Sequence, residues 1–288
     1  MMYLKKLVIV LIILSNCLLL NAQQMETRYI EVNNETLAYT DKGEGEVTLL
    51  FLHGAFINKD YWSEQISYFS KNYRAVAVDL PGHGASTHSQ NNWTGPRFGN
   101  DIRHFIQKLE LKNVVIIGHS FGSDVMLETV ANDASSILGL VEVDHMKNVG
   151  TELPKEAIDQ IIKGLHVDFA ATCEQFARQA LVTEATDPKI VSRLLKDFKK
   201  MDPEVGIPLL KNGLTYATRE VELLKALKLK LHMIHVNYTP TQEEPLQQYL
   251  GDRYELYILD GTCHYPMIEN PKAFINLLER ILIKIQER

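Results

Sequence analysis

The run Asn113–Ser123, NVVIIGHSFGS, is the stretch that most constrains how this chain can fold. Val114, Val115, Ile116 and Ile117 form an unbroken β-branched series, the pattern of a strand covered on both faces. The series ends at Gly118; Ser120 and Gly122 follow, and a helix-like segment opens at once. This is G-x-S-x-G in a strand–turn–helix context, a nucleophile elbow. The spacing demands a sharp, strained turn in which bulky neighbours of the serine would clash. It leaves a hydroxyl at the carboxyl end of the strand, facing a helix amino terminus.

The rest of the chain reads as alternating strands and helices on either side of that elbow. Arg28–Val32 and Thr36–Thr40 form a predicted hairpin turned at Asn33-Asn34. Val47–Leu52 and Arg74–Val78 are apolar strands, and Leu138–Val143 is another, ending at Asp144. Between them, Trp62, Ile66 and Phe69 carry helical spacing, as do Phe98, Ile102, Phe105, Ile106 and Leu109. Leu229–Val236 and Tyr254–Leu259 complete the strands, with a short helix expected near Pro245–Leu250. Asn270-Pro271 opens a closing helix, a cap followed by proline in the first helical position. Such alternation implies a mostly parallel sheet with right-handed crossovers and helices on both faces.

From about His145 to Tyr216 the alternation stops and only helical patterns remain. Ile158, Ile161, Ile162 and Leu165 share one face, and Ile190, Leu194, Leu195 and Phe198 another. An insertion between two sheet strands belongs over the carboxyl edge of the sheet, where it acts as a lid. The expected organisation is therefore a core over 23–144, a helical lid over 145–216 and the rest of the core over 217–288.

Four motifs occur in order: His53-Gly54-Ala55, Asp79-Leu80-Pro81-Gly82-His83-Gly84, Gly118-His119-Ser120-Phe121-Gly122, and Gly261-Thr262-Cys263-His264. With them the chain resembles the α/β-hydrolase fold family over nearly everything after residue 25. The resemblance implies an eight-stranded α/β-hydrolase sheet with the lid inserted after strand six. It also implies Ser120 as nucleophile and His264 as its base, the one histidine of ten in the place that the chain order serine, acid, histidine requires. The backbone N–H groups of Ala55 and Phe121 are the expected oxyanion donors. His53, Asp79, His83 and His119 are read as structural members of the loops.

The acid departs from the usual pattern. In the family it commonly follows the seventh strand, but that segment here is His235-Val236-Asn237-Tyr238-Thr239-Pro240, without a carboxylate. Some members carry it at the end of the sixth strand, which points to Asp144. Glu243 and Glu244, past Pro240, are the alternatives, and Asp260 is too near His264 in sequence to hold its ring comfortably.

Composition narrows the remaining choices. The 288 residues are 45% hydrophobic, enough for one large domain, and a net charge of −6 without a basic tract argues against nucleic acid as partner. Lys5 and Lys6, the apolar run Leu7–Leu20 and the small residue Ala22 describe an export signal over residues 1–22, shorter than the about 20 apolar residues of a membrane span. An exported, periplasmic or secreted protein with no stable membrane span is expected. Leu14-Ser15-Asn16-Cys17 also resembles a lipidation site, with Asn16 where a small residue belongs. Cys173 and Cys263 are expected as two unpaired thiols. No metal motif or glycine-rich dinucleotide loop is present, so the expected reaction is cofactor-free: cleavage of an ester-type bond in a small, partly apolar substrate through an acyl-Ser120 intermediate. A ligand-binding protein, or a lyase or acyltransferase, on the same scaffold are the alternatives.

Overall fold

The computed structural model describes residues 25–89 and 91–287; the expected export signal and Cys17 lie outside them. Eight strands run in chain order as β1 (Arg28–Val32), β2 (Glu35–Lys42), β3 (Thr48–Leu52), β4 (Arg74–Val78), β5 (Val114–His119), β6 (Ile137–Val143), β7 (Leu231–Val236) and β8 (Tyr254–Leu259). They form one sheet in the order β1-β2-β4-β3-β5-β6-β7-β8. The β1–β2 and β2–β4 pairs are antiparallel and the other pairs parallel. The chain turns from β1 to β2 through Asn33 and Asn34, both with positive φ (50° and 67°), the hairpin geometry that asparagine tolerates.

The central strands owe their order to burial. All the residues of β3, β5 and β7 are buried, as parallel strands with helices on both faces must be. The edges look different: β8 is half-exposed, and its Glu255 is ion-paired with Lys230 (3.3 Å) and with Lys284. Charge on an edge strand discourages pairing with another chain.

The helices are α1 (Ser63–Phe69), α2 (Gly95–Lys108), α3 (Phe121–Asn132), α4 (Lys155–Val167), α5 (Phe169–Phe176), α6 (Pro188–Lys200), α7 (Pro203–Leu214), α8 (Ala217–Ala226), α9 (Glu243–Leu250), α10 (Pro266–Glu269) and α11 (Pro271–Gln286). Helix α3 begins directly after Ser120, three residues earlier than its apolar pattern suggests, because Gly122 and Ser123 hide the first turn from a hydrophobicity count. Helices α4 to α8 occupy the connection from β6 to β7. Asp187-Pro188 and Asp202-Pro203 divide this stretch: each aspartate accepts a bond from the second helical N–H (2.8 and 3.0 Å), and each proline takes the first helical position. After α5 the chain widens into a π-helical turn, Ala177–Leu181. Helix α8 is tied to α3 by Arg219, whose guanidinium donates to both oxygens of the buried Glu128 (2.9 Å each), while Tyr216 donates to the same carboxylate at 2.8 Å. Among the described residues no helix is long and apolar enough to cross a membrane.

Helices α2 and α3 touch through Gly99, where an added Cβ would lie 2.5 Å from the Glu128 Cβ and 2.6 Å from its carbonyl carbon. Replacing a mid-helix glycine by alanine ordinarily stabilises a helix by about 1 kcal/mol, but overpacking costs about 1–3 kcal/mol. Gly99→Ala is therefore expected to lower the midpoint of urea unfolding. A raised midpoint would mean that the two helices separate freely.

Candidate active site

The sheet register brings the first two residues of the site together. Along β5 and β6, Gly118 pairs with Glu142 and His119 with Val143, so the next step sets Ser120 beside Asp144. The Ser120 N–H donates to the Val143 carbonyl (3.1 Å), and the Asp144 N–H to Ile234 on β7 (2.8 Å). Both residues leave their strands at positive φ, 51° for Ser120 and 50° for Asp144, so each chain turns off the sheet edge at the same level. The elbow has no room for side chains: a Cβ on Gly118 would lie 2.6 Å from the Gly122 carbonyl oxygen, and one on Gly122 2.5 Å from that of Leu52.

His264 enters from the loop after β8. Its Nδ1–H donates to Asp144 Oδ2 at 2.8 Å, which leaves Nε2 as the proton-accepting nitrogen. Ser120 and His264 line one cavity of about 260 Å³; no hydrogen bond joins the Ser120 hydroxyl to the ring among the described residues. His119 backs the ring, with centroids 4.7 Å apart, and its Nε2–H donates to the His264 carbonyl at 2.7 Å. Burial, and then the nearby charge of His264, push the His119 pKa well below the ordinary value, so that ring is neutral.

Asp144 is buried, and burial alone would raise its pKa. The hydrogen bond and charge of His264, followed by the charge of Lys147, outweigh that and bring it down to about 2. The turn after Asp144 is pinned by the buried Glu142. One of its oxygens accepts the N–H groups of His145 and Met146, and the other bonds His235 Nε2 at 2.9 Å. Neither the Ala55 nor the Phe121 N–H is taken by a backbone carbonyl among the described residues, and both residues line the cavity.

Phe56, Phe176, Leu181, Phe198, Leu209 and Leu214 give the cavity an apolar wall, all but Phe56 from the inserted helices, and Asp124 and His145 add a polar stretch to it. A larger open depression of about 880 Å³ between α5 and α6 is lined by groups such as Glu174, Lys196 and Lys199 and holds none of the residues just described.

These features can be set beside known proteins. Residues 49–277 match the model of the alpha/beta hydrolase family. The chain belongs to that family. It is 29% identical over 161 residues to the (E)-2-((N-methylformamido)methylene)succinate hydrolase of Acinetobacter baylyi, a match spanning 55% of this chain and 60% of that protein. It is 26% identical over 250 residues to the pimeloyl-[acyl-carrier protein] methyl ester esterase of Yersinia enterocolitica, covering 82% and 93% respectively. Among solved structures, an esterase from Exiguobacterium antarcticum superposes with a TM-score of 0.79 at 18% identity, over 89% of this chain and 99% of that one. A bromoperoxidase from Bacillus anthracis does so with 0.77, also at 18%, over 89% and 99%.

Within the alpha/beta hydrolase family the residues considered for the acid are separated by the geometry. Asp144 alone of them bonds His264; Glu243 and Glu244 are exposed in the first turn of α9, and Asp260 accepts from Asn237 at 2.6 Å. The loop residues read as structural are all engaged. His53 Nε2 accepts from the Leu80 N–H (3.0 Å), Asp79 accepts from Lys59 N–H (2.7 Å) and Ala85 N–H (3.0 Å), and His83 Nδ1–H donates to the Pro81 carbonyl (3.0 Å). Cys173 and Cys263 are free and buried, and burial pushes the thiols up to about 12 and about 11.

Sequence reasoning missed a second charged group at the cavity wall. Asp124, one turn along α3 from Ser120, bonds His145 Nε2 at 3.0 Å, with Glu220 Oε1 at 3.9 Å. Burial opposes charge on His145, but Asp124 and then Glu220 and Glu142 prevail and raise its pKa to about 10. The spacing Ser-x-x-x-Asp on a helix was the available signal, since i and i+4 share a face.

The Asp144 shift carries a sign. A carboxyl whose folded pKa lies below its unfolded 3.8 adds stability above that value and loses it as pH falls toward about 2. Wild type is expected to lose roughly 2 kcal/mol more than Asp144→Asn over that interval, read by denaturant titrations at stepped pH. Parallel losses in the two proteins would refute the assignment.

Proposed function

We propose that this chain is a serine hydrolase of ester-type bonds. The observation that carries the reading is the hydrogen bond from His264 Nδ1 to Asp144, which leaves Nε2 to accept a proton, in a cavity that Ser120 also lines. In the first half-reaction Ser120 Oγ attacks the carbonyl carbon and its proton passes to His264 Nε2. The carbonyl oxygen gains the negative charge and takes the N–H groups of Ala55 and Phe121, such donors contributing about 3 kcal/mol each. Asp144 keeps the proton on Nδ1 and stabilises the imidazolium. The intermediate collapses, the C–O bond to the leaving alcohol breaks, and the alcohol takes the proton from Nε2. Water repeats the sequence on the acyl-enzyme, releasing the carboxylic acid and restoring the serine.

The family membership and the esterase and hydrolase names among its relatives support hydrolysis. The apolar wall supports a substrate with a short hydrocarbon acyl group, enclosed by the inserted helices acting as a lid. A serine at the elbow argues against chemistry that needs a carboxylate nucleophile.

Purified protein is expected to label with a fluorophosphonate at Ser120 and to turn over p-nitrophenyl esters, short chains faster than long. Ser120→Ala abolishes both, and Asp144→Asn lowers kcat by about 10⁴. Absence of labelling and turnover in the wild type would favour a binding protein. Product that appears only with an added acceptor alcohol would favour an acyltransferase.

A further inference from the structure

We propose that Lys147, in the turn after β6, is a positioning residue for this reaction, its ammonium seated against the loop after β7 and holding Asp144 in the orientation His264 requires. The inference rests on the hydrolase reading above and adds to it a residue that touches no reacting atom.

A carboxylate has two oxygens to satisfy when buried. Asp144 Oδ2 receives His264 Nδ1–H. Oδ1 receives the Lys147 ammonium at 2.7 Å and the Val236 N–H at 3.1 Å. Two donors on one oxygen stop rotation of the carboxylate about its last bond, so the other oxygen stays aimed at the ring. Lys147 is itself buried, and an ammonium out of water is costly unless its three donors are used. They are: besides Asp144, Nζ donates to the Val236 carbonyl at 2.8 Å and to Thr239 Oγ1 at 2.9 Å. The ammonium also lies 4.4 Å from the centroid of the Tyr238 ring, a cation–π distance.

Every group that the loop Val236–Thr239 offers to Nζ is thus a carbonyl, a hydroxyl or an aromatic face, the chemistry that seats a cation. The missing carboxylate of that loop is accounted for in these terms. With the acid at the end of β6, the loop after β7 supplies the seat for the lysine that holds it.

The test is a double-mutant cycle with Lys147→Met, which keeps length and packing but removes the charge. In the wild-type background we expect kcat to fall about 10²-fold, the scale of a misplacement near 1 Å, with KM little changed. In the Asp144→Asn background the same substitution is expected to change kcat less than about twofold, because no carboxylate remains to be held. In proton NMR spectra the downfield Nδ1 proton of His264 should shift or exchange away in Lys147→Met. Equal losses in both backgrounds, or a folded Lys147→Met with wild-type kcat and an unmoved Nδ1 proton, overturn the proposal. Should Lys147→Met fail to fold, Thr239→Val removes one acceptor of Nζ alone. It should give a smaller fall in kcat, absent with Asp144→Asn, and no effect on kcat or the Nδ1 proton would overturn the proposal. A wild type without Ser120-dependent turnover would sink the hydrolase reading, and the Nδ1 proton would then decide the role of Lys147 by itself.

Discussion

The site depends on the pairing of β5 with β6. Because His119 stands opposite Val143, the residues that follow leave the sheet side by side, and Ser120 hangs from the Val143 carbonyl by its own N–H. A one-residue slip would turn every side chain of a strand to the opposite face, and it would carry the serine and the aspartate apart as well. The apolar runs of β5 and β6, buried throughout apart from Leu138, make such a slip expensive. The same hydrophobic contacts that hold the sheet therefore hold Ser120 beside Asp144, and His264 reaches them from the loop after β8.

What the sheet cannot supply is direction. Ser120 and Asp144 both adopt a backbone conformation that L-residues disfavour, at a cost of order 1–3 kcal/mol each. Each is held there by neighbours with no alternative. For Ser120 these are the bare glycines at 118 and 122, packed against main chain. For Asp144 they are Glu142, which accepts the next two N–H groups, and His235, which fixes Glu142 from the far side while bonding Thr241 at 2.7 Å. This is a buried polar network whose members are each bonded within it, the condition under which such a network rigidifies a core.

The fold was legible because its signals are local. Val114–Ile117 and Arg74–Val78 could only be buried strands, and Asn33-Asn34 could only be a tight turn. Ser120 and His264 could be named because a motif and a chain order mark them. The roles of Lys147, Glu142 and His235 were not legible for a common reason: each depends on a partner brought near by topology. A lysine three residues past a strand reads as a solvated surface group, and nothing in the sequence says that Val236 and Thr239, 89 and 92 residues away, close over it. Asp124 is intermediate, since its helical spacing from Ser120 was visible but its partner His145 lies across a strand crossover.

The place of Asp144 at the end of β6 also has a mechanical consequence. Asp144 is the first residue of the connection that becomes α4 to α8, so the carboxylate and the helices enclosing the cavity share one segment of chain. Were that segment loose, every movement of the helices would reach the histidine. It is instead fastened twice within four residues, at 145 and 146 by Glu142 and at 147 by the loop after β7. The bonds at 145, 146 and 147 separate the carboxylate from the helices that follow, so its aim at the ring does not depend on how those helices pack. The Lys147 ammonium beneath Asp144 thus ties the end of β6 to the loop after β7.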